Sequence, residues 1–383
     1  MARKALVSHV IGWAFVVVAS WLTSSCAASA KVTGGGNPSA KVDALFEKWS
    51  EGLTPGAAVL VIRDGKVVHR KGYGLAVVKT RTPIKPDTSF RLASLSKQFT
   101  AMAIMILAER GKLDFDDPLA KFFPRFPSDM RRITIRQLLH HLSGLPDHET
   151  LFLKRKKISC NWPRSAKTPP DPYEPTSHDA LELLARQKQL EFAPGTEFRY
   201  SNAGYVVLGQ IVEKVSRTSY GKFLKKEIFD RLGMHKTVVS DGKHPRVPNL
   251  ALSYAQKVGV YCDIDYTPLN RIVGDDGVFS SLDDLGKWIG ALKSEALVKE
   301  ATLQLAFTPG RLKSGEITHY GFGWFLCERF GLKTIEHDGV WVGFRNFILD
   351  FPERKLTIVV LSNFDEIEAD KLADEVAKIY LNQ

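Results

Sequence analysis

A chain of 383 residues, 44% hydrophobic and 25% charged, has globular composition and is long enough for one large domain or two of ordinary size around a full core. The formal net charge is +11, yet the densest basic run, Lys154-Arg155-Lys156-Lys157, lacks the interleaved aromatics of a single-strand binder and the pattern of a basic recognition helix. The excess is read as solvated surface, or as loose attraction to anionic cell-envelope polymers, and nucleic acid is set aside as a partner.

The N-terminus carries Arg3 and Lys4, an apolar stretch from Ala5 to Leu22, and the small-x-small site Ala28-Ser29-Ala30, the layout of a signal peptide over residues 1–30. This predicts an extracytoplasmic protein, periplasmic or secreted. Two routes to membrane attachment stay open. One is lipidation of Cys26, although Leu22 stands one place further from it than is usual in lipoprotein boxes. The other is retention of the apolar segment, which is close to the ~18 residues needed to span a bilayer. A mature chain keeps Cys160, Cys262 and Cys327, an odd set without a CxxC pair, so neither a disulfide framework nor a zinc site is expected, and no cofactor is implied.

Residues 31–39, with Gly34-Gly35-Gly36 and Pro38, read as a linker. Val42, Leu45, Phe46 and Trp49 then fall at helical spacing over Ala40 to Trp49. Ala57 to Ile62 and Lys66 to Tyr73 flank Asp64-Gly65, a strong hairpin signal. Ser94 to Arg110 is helical and apolar nearly all round, which predicts a buried helix ended by Gly111. Further helices are expected over Ile133 to Leu142, Ser177 to Arg186, Tyr205 to Val215 and Tyr220 to Phe229, with an irregular excursion from Lys154 to Pro175. Ser281-Leu282-Asp283-Asp284 resembles a capping box opening a helix through Leu292. Strand-like runs at Thr334 to His337, Phe344 to Asp350 and Leu356 to Leu361 precede a closing helix from Glu366 to Leu381. The order predicts an α+β fold. Its antiparallel sheet is drawn from residues 40–93 and 266–383 and flanked by terminal helices, and a mainly helical lobe spans 94–265, with the active site between them.

Three short patterns carry chemistry. Acyl transfer needs a nucleophile, a group to take its proton, and donors aimed at the developing oxyanion. In Ser94-Leu95-Ser96-Lys97 the i,i+3 spacing at a helix start puts the Lys97 amine beside the Ser94 hydroxyl, and burial would depress the lysine pKa. Ser219-Tyr220-Gly221-Lys222 and Ser240-Asp241-Gly242-Lys243 match equally well, but only Ser94 leads into a long buried helix. Tyr200-Ser201-Asn202 is the second pattern. A phenol beside an ammonium is expected to shift toward phenolate, with Asn202 orienting Lys97 or a substrate amide. His337-Asp338-Gly339 is the third, at a strand end where glycine admits close backbone approach.

Taken in order, these motifs resemble the serine β-lactamase, DD-peptidase and esterase superfamily, in which SxxK, YxN and KTG or HxG follow one another. The likeness takes in Thr88 to Ala93, Leu138 to Pro146, Gly274 to Leu285, Tyr320 to Trp324 and Trp341 to Arg345. It implies that Ser94 attacks a carbonyl while Lys97 and Tyr200 shuttle the proton. The backbone N–H groups of Ser94 and Val340 would form the oxyanion hole, and Asn202 and His337 would complete the polar network. Two departures narrow the substrate. The lysine of KTG is His337, whose charge would vary near neutrality, and its neighbour is Asp338, which would repel the carboxylate of a penicillin or a D-Ala-D-Ala terminus. An ester, amide or D-aminoacyl peptide substrate, small or cell-wall derived, is therefore expected ahead of β-lactamase or DD-carboxypeptidase action. An inactive relative that binds peptidoglycan or a protein is the remaining alternative. His140, His141, Asp147 and His148 lack HExxH spacing and are read as a structural loop, so no metal site is assigned. Asp275-Asp276 and Asp283-Asp284 are read as turns and caps. The absence of GxSxG argues against an α/β-hydrolase.

Overall fold

The computed structural model describes residues 37–154, 173–241 and 246–382. The signal-like segment with Cys26, most of the Lys154–Pro175 excursion with Cys160, and part of the Ser240–Lys243 pattern lie outside the described residues. Among those described, no helix is long and apolar enough to cross a membrane.

Residues 37 to 383 form one compact unit built on a six-stranded antiparallel sheet. Its strands run, edge to edge, Phe325–Arg329, Leu332–Trp341, Phe344–Phe351, Leu356–Ser362, Ala57–Arg63 and Lys66–Tyr73. The two ends of the chain thus meet inside the sheet, where Ala57 pairs with Ser362 and Arg63 with Leu356. Because side chains alternate across a strand, Ala57, Val59 and Val61 face one core while Ala58, Leu60 and Ile62 face another. A strand covered on both faces reads as an unbroken apolar run, as Ala57 to Ile62 does.

The first face is covered by the terminal helices Pro38–Ser50 and Ala369–Leu381, through Val42, Phe46, Ala373 and Val376. The first helix opens two residues inside the stretch read as linker. Pro38 sits where a missing N–H costs nothing, and the Asn37 side chain accepts from Ser39 N at 3.0 Å. The second face is covered by the helices Lys97–Glu109 and Leu282–Ala291, joined where Trp288 Nε1 donates to Gln98 Oε1 at 2.9 Å. Ser281 caps the latter by accepting from Asp284 N at 3.3 Å. The reciprocal half of the expected capping box is not made, because the Asp284 carboxylate turns to Lys236 N and Thr237 Oγ1 at 2.7 and 2.9 Å. The helix Asn202–Ser216 packs on Lys97–Glu109 and begins three residues before its apolar periodicity, with Ser201 as its cap.

Two glycines let the sheet and a neighbouring loop close on the start of the Lys97 helix. A Cβ on Gly339 would stand 2.2 Å from Leu92 O, and one on Gly323, whose φ is +82°, would stand 3.0 Å from Gln98 Cα. The close approach predicted at Gly339 is therefore made to the protein's own backbone. Gly339→Ala should lower stability by about 1–3 kcal/mol through overpacking, whereas Gly290→Ala, in a helix with nothing within 4 Å, should be neutral or stabilising. Urea unfolding of the two variants measures the contrast.

Candidate active site

Ser94 lies in a 3₁₀ turn, Ala93–Ser96, that runs directly into the Lys97–Glu109 helix. Side chains at i and i+3 eclipse in such a turn, which stacks Lys97 over Ser94 more tightly than an α-helical start would. Ala93 holds a left-handed φ of +52°, a conformation that costs an alanine free energy and is concentrated at functional sites. The strain was invisible in the sequence, since alanine carries no signal for it.

The Lys97 amine is fully buried. Its Nζ lies 2.9 Å from Ser94 Oγ, 2.8 Å from Asn202 Oδ1 and 3.2 Å from the Asp275 carbonyl oxygen. Burial holds the pKa below the ordinary lysine value, against the opposing pull of Asp275, Asp276, Glu149 and Asp338. Asn202 Nδ2 in turn donates to Glu149 Oε1 at 3.1 Å.

Tyr200 joins this cluster. Lys97 Nζ sits 4.9 Å from its ring centroid, and the His141 ring packs 4.2 Å away on centroids. The Tyr200 hydroxyl is buried and makes no hydrogen bond of good geometry, although Ser94 is near enough to favour its ionised form. Burial dominates and raises the pKa well above that of a free phenol, with the Asp338 charge adding to the rise. The expected shift toward phenolate is thus reversed, because burial in a dry pocket penalises the anion and the Asp338 charge adds to the penalty.

His337 also departs from expectation. It is completely buried, with Nδ1 2.6 Å from the Asp338 carbonyl oxygen and Nε2 2.9 Å from Tyr320 Oη. The carbonyl can only accept, so Nδ1 carries the proton and Nε2 accepts from the tyrosine. Burial pushes its pKa down to about 4, so the ring stays neutral where the sequence suggested a charge near pH 7. Asp338 extends outward with its side chain 46% exposed. His141, read as a loop residue, accepts from Ser201 N at 3.1 Å through Nδ1 and holds the Tyr200-Ser201 segment against the site.

A small, partly open cleft lies over these groups. Ser94, Asn202 and Val340 line one side, His148, Glu149, Asp275 and Asp276 another, and Leu269, Ile272 and Trp341 add apolar surface. Asp275-Asp276 is therefore a cleft wall as well as a turn. Glu149, unassigned from the sequence, is partly buried by surface area and enclosed by enough protein to raise its pKa well above the carboxylate range, burial leading and Asp147 and Asp275 adding repulsion. The decoy motifs fall elsewhere. Ser219 and Lys222 are exposed around a short surface helix, and Tyr380-Leu381-Asn382 ends the C-terminal helix.

The β-lactamase family model matches residues 42–381. Penicillin-binding protein 4* of Bacillus subtilis (strain 168) is 32% identical over 84% of this chain and 71% of its own length. Among solved structures, the octameric penicillin-binding protein homologue from Pyrococcus abyssi superposes with a TM-score of 0.76 at 29% identity, over 90% of this chain and 77% of that one. D-amino acid amidase from Ochrobactrum anthropi SV3 has the same fold, with a TM-score of 0.74 at 21% identity over 91% of this chain and 99% of its own.

The ring nitrogens give a direct check. In ¹⁵N spectra His140 and His337, both held near pKa 4 by burial, should keep neutral-ring signals from pH 8 down to about 5, with His337 protonated on Nδ1. Both folded values lie below the ordinary 6.5, so the unfolded chain binds more protons in this window and their contribution to stability falls as pH drops from about 6.5 toward 4. Titration of either ring near 6.5 contradicts the assignment.

Proposed function

The chain belongs to the β-lactamase family, and from that premise and the geometry of its cleft we propose an exported serine hydrolase that works through an acyl-enzyme on Ser94. The observation that carries this reading is the 2.9 Å contact between Ser94 Oγ and a fully buried Lys97 amine. In its neutral form Lys97 accepts the Ser94 proton as Oγ bonds to the substrate carbonyl carbon. The backbone N–H groups of Ser94 and Val340 hold the oxyanion. Tyr200, kept as a neutral phenol, gives its proton to the departing amine or alkoxide and regains one from the Lys97 ammonium. Water then attacks the acyl carbon, and the same groups return the proton to Ser94. Asn202 and His337 position the amine and the Tyr200 environment.

The acid-lined wall supports a substrate class. A free carboxylate entering the cleft would meet Glu149, Asp275 and Asp276, with Asp338 close by. An ammonium would instead favour the ionised form of Glu149, against the burial that raises its pKa, and pair with it. D-aminoacyl amides and esters therefore fit better than penicillins or D-Ala-D-Ala termini, and the shared fold of a D-amino acid amidase is consistent with this. The signal-like N-terminus supports action outside the cytoplasm.

A fluorophosphonate probe read by intact mass should label the wild type and Ser219→Ala but not Ser94→Ala; labelling of Ser94→Ala rejects the assignment. Lys97→Ala should slow acylation by about 10²–10⁴-fold. In the wild type the acylation rate should rise with pH through the lowered lysine pKa and level off before the ordinary range near ~10.4. D-phenylalanine amide should exceed nitrocefin at least tenfold in kcat/KM, and Asp338→Thr should narrow that gap. The opposite preference overturns the substrate class while leaving the acyl-enzyme intact.

A further inference from the structure

One wall of the cleft brings together three metal-ligating side chains from two distant parts of the chain. His148 and Glu149 open the helix His148–Lys154, and Asp275 stands in the loop before the strand Val278–Ser280. One ring nitrogen of His148 and one carboxylate oxygen from each acid lie within 4.8 Å of one another. Two of the three are nearly sealed from solvent, His148 at 2% and Asp275 at 6% exposure. His148 Nδ1 and Asp275 Oδ1 are both buried without a hydrogen-bond partner among the described residues. Native structures rarely leave such atoms unsatisfied, and the acyl transfer itself uses neither.

We propose that His148, Glu149 and Asp275 bind a divalent transition-metal ion of the zinc type, each giving one ligand, on the cleft wall beside Asn202. The donor set selects the class. Calcium and magnesium prefer all-oxygen sites, whereas one imidazole with two carboxylates suits zinc and its neighbours. Three protein ligands leave a fourth position open toward the cleft. Tetrahedral bonds of about 2.0–2.2 Å place ligand atoms roughly 3.4 Å apart, so the side chains draw inward on binding, and Glu149, the least buried of the three, has room to turn. The hydrogen bond from Asn202 Nδ2 engages Glu149 Oε1 and leaves Oε2 for the ion, while Asn202 Oδ1 holds Lys97. The ion is thus linked to the buried amine through a single amide.

A functional consequence rests on the proposed ammonium-binding wall: the ion and a substrate ammonium compete for the same acids. Zinc should raise KM for D-phenylalanine amide several-fold more than for p-nitrophenyl acetate, which has no amino group.

The test is calorimetric titration of zinc chloride into the metal-free full chain and into Ser94→Ala, which separates binding from catalysis. Both should show one site of micromolar affinity or tighter. His148→Gln, Asp275→Asn and Glu149→Gln should each weaken it at least tenfold, with circular dichroism checking the fold; should the two buried substitutions unfold the protein, the partly exposed Glu149→Gln decides. Absence of binding in wild type and Ser94→Ala, or unchanged affinity in the folded variants, overturns the site. If the site is confirmed but the two substrates respond alike, the ammonium reading falls and the metal site stands.

Discussion

The catalytic arrangement depends on keeping one amine dry. An ammonium has three donors and no acceptor, whereas a neutral amine has two donors and a lone pair. Of the three partners of Lys97, Asn202 Oδ1 and the Asp275 carbonyl can only accept, while the Ser94 hydroxyl can do either. Both protonation states of the lysine are therefore satisfied by the same heavy-atom positions, and only the hydroxyl proton changes side. Such a pair needs no reorganisation at the moment of transfer, which is where preorganised sites gain most over water. The glycines at 323 and 339 serve this arrangement by letting backbone, which carries no bulk, seal the surroundings of the turn.

The same dryness sets the charge pattern. Lys97, Tyr200, His141 and His337 are all pushed by burial toward their neutral forms. A stack of neutral aromatic rings, Tyr200 against His141 and near Tyr320 and Phe325, backs the site without placing a fixed cation there. Among the described residues that line the cleft, Glu149, Asp275 and Asp276 supply carboxylates, the last paired with Arg91 at 3.5 Å, and the Asp338 side chain is exposed. Two of these, Glu149 and Asp275, have raised pKa values led by burial, and a positive group beside them would favour their ionised forms.

Much of this was legible in the sequence wherever a local rule coincided with the global fold. The hairpin at Asp64-Gly65, the buried Lys97 helix and the apolar C-terminal strands each follow from periodicity and turn chemistry. The SxxK, YxN and HxG patterns together marked segments that the structure brings to one place. What was not legible depends on burial. The ionisation of Tyr200 and His337 follows from how much protein surrounds them, which no spacing encodes. The His148, Glu149 and Asp275 cluster joins residues on opposite sides of the Asn202 helix in sequence, so the spacing of His140, His141, Asp147 and His148, read as structural, gave no sign of it. The early start of the first helix was hidden because proline reads as a breaker although it suits a first turn.

The sheet joins strands from the two ends of the chain, and Gly56 N donates to Asn363 Oδ1 across a separation of 307 residues. The pair that joins Ala57–Arg63 to Leu356–Ser362 cannot form until nearly the whole polypeptide is present, and closing so long a loop makes assembly slow compared with a fold of local contacts. During synthesis the earliest strands must wait with their apolar side chains unmatched. Such a delay would suit the proposed export, since a polypeptide that cannot complete its core stays linear enough to be threaded through a channel before it folds.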